Sequence, residues 1–491
     1  MKRTLSGQNS ILVGVAIAFV TGIALTLVGL LGTRAGWTVF SAVVMLIIIG
    51  WNISKDFVRE PTAIFLSIKS FFLIGFALFY PVSMLKQVLI YDAPLVYSAS
   101  AEQRAILAIF AALGAFLIGS AFGRMRFSLY HRTHFDRPVV EQKYSSNRIL
   151  LCMLAYLAFT VFGWINYYNP LRITDHSERN FGSEATVYLP VANAILATIW
   201  CFQGLSNRKK SQTAARVAFC IPILAVGLVQ FNRATVMHLV SLWLVVFLYT
   251  NYYFRKDRSI LRPIALVAFA APFLYLLANL YKAVSLSEWR TLGLLDIPSI
   301  LNDALTRSQV LDFLDTFENL TAVIGLYVDR HIYLWGWSLL NPIVNFIPRS
   351  FWAGKPEAFG VTLMTDLYGY NAYIGGSLAP SLLGESIANL GYTGAVIIFF
   401  CLGVLLRKLH EKFVRIRQPF AFYHIFYLLL LHPAFLQNRG DVLLNFSFGC
   451  IIAPVLFAFW FSQLPMTMSG VPSNRSWRLR FGSQHKRWQE S

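Results

Sequence analysis

Between Asn345 and Gly391 the chain reads NFIPRSFWAGKP, then a polar, tyrosine-rich run, then GGSLAPSLLGESIANLG at the mouth of a hydrophobic segment. Arg349, Lys355, Glu357, Asp366 and Glu385 therefore fall within a few turns of an apolar boundary, where acid–base or anion-binding chemistry is expected. Pro348 and Pro356 stiffen the backbone around Arg349 and Lys355, and a stiff element presenting two cations suits a diphosphate. Phe351 or Trp352, lying between them, suits stacking on a sugar face; a basic-aromatic interfacial belt has the same composition. Glu385 and Asn389 stand four apart and share one helix face. An ionisable group one turn into a membrane helix faces an aqueous cavity or a partner cation, so Glu385 is either functional or paired with an arginine.

Other charged residues join this list. Arg233, in VQFNRATVMHL, stands between two apolar runs and either snorkels to the interface or recognises phosphate with its planar fork. Arg172 and Arg179, in NPLRITDHSERN, share a mixed loop with Asp175, His176 and Glu178. Arg439 and Asp441, in LQNRGDVLLNF, occupy a tight hairpin, where they pair with neighbouring helices or act on substrate. His238 and His432 read as core histidines, and Cys152, Cys201, Cys220, Cys401 and Cys450 as small apolar core residues without metal or redox spacing.

The elements that must position these residues are membrane helices. With 56% hydrophobic residues and 13% charged residues in 491, the chain has more apolar surface than a soluble core can hide. Long apolar runs with short connectors predict an all-α, polytopic membrane protein rather than a barrel. Twelve spans are expected, at 11–31, 37–51, 70–90, 105–122, 149–166, 189–204, 217–231, 234–254, 263–281, 382–406, 419–437 and 442–461. Every second loop is basic, so the net charge of +19 expresses the positive-inside rule and anionic lipid, with both termini cytoplasmic and no nucleic-acid partner. The chain divides into helices one to nine (1–281), a large extracytoplasmic loop (282–381) whose aromatics predict a folded lid, helices ten to twelve (382–461), and a basic cytoplasmic tail (462–491).

The order of Arg233, IPRSFWAGKP, LLGESIANLGYTG and a late outer Arg-Gly resembles the bacterial oligosaccharide repeat-unit polymerases, the Wzy-type O-antigen polymerases. The likeness is carried by residues 225–245 and 340–445; members often have Gly-Ser-Arg-Gly where this chain has Phe231-Asn232-Arg233-Ala234. It implies an enzyme on the outer face of the cytoplasmic membrane that joins units carried on undecaprenyl diphosphate, in O-antigen, capsule or exopolysaccharide synthesis. A chain-length regulator and a flippase would be partners, and no cofactor is implied. Fixed cations in a poorly hydrated site stabilise a departing diphosphate without a metal. Arg233, Arg349, Lys355 and Arg439 are the candidates, with Arg172 and Arg179 behind them. The acceptor hydroxyl needs a general base, for which Glu385 comes first and Asp441 and His331 follow; Trp352 and Asn389 would contact sugar. The O-antigen ligases and other polyprenyl-linked glycosyltransferases are the enzyme alternative, and a lipid-linked oligosaccharide flippase the non-enzyme one.

Overall fold

A computed structural model describes residues 34–59, 66–89, 99–128, 144–166, 181–206, 314–344, 357–369, 378–416, 420–440 and 444–463, with isolated positions between them. The expected spans at 11–31, 217–231, 234–254 and 263–281 lie wholly or mainly outside these residues, as do much of 282–381 and nearly all of the tail. Among the described residues the chain is helical and forms no strand.

The helices, in chain order, are α1 (Arg34–Arg59), α2 (Ile68–Phe79), α3 (Pro81–Leu89), α4 (Ala99–Ser128), α5 (Ser146–Asn166) and α6 (Phe181–Ser206). They are followed by α7 (Thr316–Val323), α8 (Phe359–Tyr368), α9 (Ser381–Arg415), α10 (Phe422–Leu436) and α11 (Leu444–Gln463). Crossing a bilayer takes roughly 20 apolar residues. Five segments meet that need: Ala35–Ser54, Ile68–Leu89, Ala99–Gly123, Ser146–Gly163 and Ser381–Arg415. Shorter apolar stretches run over Tyr188–Cys201, Phe422–Leu436 and Gly449–Gln463.

Glycine decides how closely these helices approach. At the crossing of α4 and α9, a Cβ at Gly119 would stand 2.1 Å from the carbonyl oxygen of Phe400, and one at Gly403 would stand 2.2 Å from that of Phe116. Backbone therefore meets backbone, the contact that small residues permit where lipid supplies no hydrophobic drive. Gly75 does the same for α2 against α10, facing Phe435 at 2.3 Å. Between these crossings lie Phe72, Phe76, Phe116 and Phe399, all buried, with the rings of Phe72 and Phe116 stacked at 4.2 Å. Around the outside, Leu107, Ile118, Leu151, Phe159, Phe162, Ile165, Ile397 and Leu405 are exposed. So extensive an apolar surface is a liability in water and matched to solvent in lipid. Cys152 and Cys220 are buried; Cys401, expected inside, is exposed on α9.

The two ends of α9 differ in character. Its C-terminal end carries Arg407, Lys408, Lys412 and Arg415, with Arg407 donating to Glu411 at 2.8 Å. Its N-terminal end meets α7, the turns after it and the C-terminal end of α10. Every candidate site residue that the structure describes gathers around that end, except Trp352, whose link to it runs through Trp337.

Candidate functional site

The start of α9 is built from strained backbone and side-chain polarity. Pro380 sits just before the helix, and Ser381 adopts a left-handed φ of +63°. The strain is held by two backbone bonds from the far side of the sequence: Ser381 N–H donates to Arg439 O at 2.9 Å, and Leu382 N–H to Gln437 O at 3.2 Å. Ser381 Oγ then accepts from Gly384 N–H at 3.2 Å.

One turn on, the Glu385 side chain is 1% exposed and Asn389 fully buried. Ser338 Oγ donates to Glu385 Oε1 at 2.6 Å, and Asn389 Nδ2 donates to Ser338 Oγ at 2.7 Å and to the Glu385 carbonyl at 2.7 Å. The Asn389 amide oxygen is buried with no hydrogen-bond partner among the described residues, leaving an acceptor site open inside the network.

The helix breaks two residues past Asn389. Gly391 has φ +67° and ψ −171°, a region open to glycine and closed to other L-residues. The break frees the carbonyls of Ala388 and Asn389, which accept instead from the N–H groups of Leu334 (3.0 Å) and Trp335 (3.1 Å). This pins the 332–337 turn over the carboxylate, with the Tyr333 ring 3.6 Å from where a Gly391 Cβ would stand. The turn exposes aromatic faces: Trp335 is 81% exposed, and Trp337 packs edge-on against Trp352 with ring centres 6.1 Å apart. Of the two candidates for sugar contact, Asn389 thus touches Ser338 directly and Trp352 meets the neighbouring Trp337.

A second polar cluster lies alongside, and its acids carry no motif in the sequence. Asp315 and Glu318 open α7, which Ser83 of α3 anchors by accepting from Phe317 N–H at 3.2 Å and donating to Leu314 O at 2.8 Å. Burial pushes the Asp315 carboxyl above its ordinary range against the opposing pull of Arg439 and Lys86, and Glu318 is raised by burial in the same way. Asp315 Oδ1 and Arg439 Nε are both buried without hydrogen-bond partners among the described residues. Asp315 thus lies close enough to Arg439 to feel its charge, both groups being at least partly buried.

His331 takes no part in either cluster: it stands exposed in a turn with φ +55°. Arg172, Arg179, Arg233, Arg349, Lys355 and Asp441 lie outside the described residues. Among the described residues no three His, Cys, Asp or Glu side chains gather as a metal site would require. What the arrangement offers chemically is a buried carboxylate, a second acid with raised proton affinity, a guanidinium and an aromatic rim. Protein-family models, curated proteins and solved structures were all compared with the chain, and none matches it.

Proposed function

We propose that this protein is a membrane glycosyltransferase that polymerises oligosaccharide repeat units carried on undecaprenyl diphosphate. The observation that carries the reading is the sealed Glu385–Ser338–Asn389 network, set beneath exposed tryptophans at one end of helices of spanning length. In this reading the chain crosses the inner membrane about twelve times with both termini cytoplasmic. The polar end of α9 faces the periplasm, and residues 282–381 cover it.

The reaction needs an acceptor hydroxyl to lose its proton as its oxygen bonds to the anomeric carbon of the donor. The bond from that carbon to the diphosphate oxygen breaks, and undecaprenyl diphosphate leaves with the electron pair. Glu385 takes the proton once the 332–338 turn moves aside, a role worth about 10²–10⁴-fold in rate. Arg439 stands beside the site; Arg233, Arg349 and Lys355 are the further cations assigned to the leaving diphosphate.

The test is Glu385→Gln, nearly isosteric and unable to accept a proton at neutral pH. Long polymer is expected to vanish while single lipid-linked units accumulate on the outer leaflet, read by leaflet-resolved labelling of the sugar. Units trapped on the inner leaflet would overturn the enzyme reading in favour of a flippase. Polymer that forms on its carrier but is never transferred to lipid A core would point to a ligase. Wild-type polymer would remove Glu385 from the chemistry.

A further inference from the structure

Above the glycine crossing, α4 and α9 part, and the space between them is a groove of about 230 Å³. Its walls are Leu107, Ala108 and Ala111 on α4 and Ala395 and Val396 on α9, with Arg104 and Tyr392 at its head. Ala108 and Ala395 form a buried floor, whereas Leu107 is 66% exposed, so the groove opens on the outer surface of the bundle. A tight crossing at Gly119 and Gly403 at one end and the Gly391 break at the other fix its shape.

The head is polar and incompletely used. Arg104 donates through Nε to Ser100 O at 3.1 Å and through its two terminal nitrogens to both oxygens of Asp329, at 2.5 and 2.8 Å. A guanidinium has five N–H donors, so two remain after these three bonds among the described residues. Asp329 holds the fork in one orientation, and Arg330, the next residue, is exposed. The Tyr392 hydroxyl, close enough to feel both Arg104 and Asp329, is buried without a hydrogen-bond partner. An apolar trough that ends in two spare guanidinium donors and an idle phenol matches a hydrocarbon chain with an anionic oxygen-rich head.

We infer that this groove binds a polyprenyl diphosphate, with the diphosphate on Arg104 and Tyr392 and the first isoprene units in the trough. The inference rests on the carrier reading given above and adds where the carrier lies. The groove's size selects a single chain: a cavity of 150 Å³ accommodates one benzene, so about 230 Å³ takes roughly two five-carbon units, too little for the paired chains of a glycerophospholipid. Position agrees as well. Tyr392 stands seven residues beyond Glu385 in the same element, just past the break at Gly391.

The experiment uses the full chain in nanodiscs and measures binding of a photoreactive polyprenyl diphosphate, with the labelled peptides mapped by mass spectrometry. Tyr392→Phe removes only an idle hydroxyl, so a purely structural tyrosine predicts no change. The inference predicts a loss of affinity of roughly tenfold to a hundredfold, one hydrogen bond to a charged group. Ala111→Trp, which fills the groove from its exposed rim, is expected to abolish labelling of α4 and α9 while thermal unfolding stays that of the wild type. Unchanged binding in both variants, or label placed elsewhere, would overturn the groove and leave the carrier reading standing. A wild-type chain that binds no polyprenyl diphosphate would overturn the carrier reading itself. Equal competition by phosphatidylglycerol would overturn the assignment to a single-chain lipid.

Discussion

Replacing Ser338 by alanine tests whether the Glu385 network is a unit. The Ser338 hydroxyl is 2.6 Å from Glu385 Oε1, the short separation of a charge-assisted bond, and both residues are buried, Ser338 being 5% and Glu385 1% exposed. A hydrogen bond to a charged group contributes about 1.5–3 kcal/mol, and stranding a buried acceptor costs in the same range. Ser338→Ala is therefore expected to destabilise the chain by about 2–3 kcal/mol. Glu385→Gln keeps an acceptor oxygen and reduces the bond to a neutral one of about 1 kcal/mol. Coupling in the double-mutant cycle should then be about 1–2 kcal/mol, because the cycle cancels every other contact of either residue. Reversible unfolding in bicelles, read by steric trapping, measures all four corners. Coupling below about 0.5 kcal/mol, the range of independent sites, would refute the network as a cooperative device.

Gly391→Ala places a Cβ at φ +67° and ψ −171°, so a loss of about 1–3 kcal/mol is expected in the same unfolding assay. Gly403→Val drives a side chain into the Phe116 carbonyl and is expected to cost about 1–3 kcal/mol, whereas Gly114→Val, with nothing within 4 Å, should stay within about 0.5 kcal/mol of the wild type. Burial raises the Asp315 carboxyl above its ordinary value of roughly 3.9, so the native chain holds that proton over a window in which the unfolded chain has lost it. Stability should fall as pH climbs through that window, and Asp315→Asn should flatten the slope and stabilise the chain above it; parallel pH–stability curves for the two proteins would count against this.

How much of this was legible in the sequence depends on whether a residue's role is local. Glu385 and Asn389 announced themselves by helical spacing alone, and the structure buries both on one face. Ser338 did not: a serine in an aromatic turn has no periodic signal, and its partners are 47 and 51 residues away. Asp315 and Glu318 were passed over for the same reason, since their meaning comes from Lys86 and Arg439 at remote helix ends. Arg104 was not singled out in the sequence, since the partner that fixes its fork, Asp329, is 225 residues away. Gly391 was visible as a glycine at the start of an apolar helix, yet composition does not tell a close approach from a break. Apolar length is summed over neighbours along the chain, and so the spanning segments α1 to α5 and α9 were readable where the polar contacts were not.

The stitching of Ser381 and Leu382 to Arg439 and Gln437 has a consequence for how the chain is made. Residues 381–390 leave the ribosome well before their partners at 437–439, and α9 enters the membrane with the N–H of Ser381 unmatched. The left-handed turn at Ser381 has no reason to persist until α10 has inserted and returned its last carbonyls to the same surface. Assembly of the polar end therefore waits for the C-terminal end of α10. A chain that ended before residue 437 would hold Ser381 and Leu382 without the two carbonyls that accept from them, and the start of α9 without its left-handed turn.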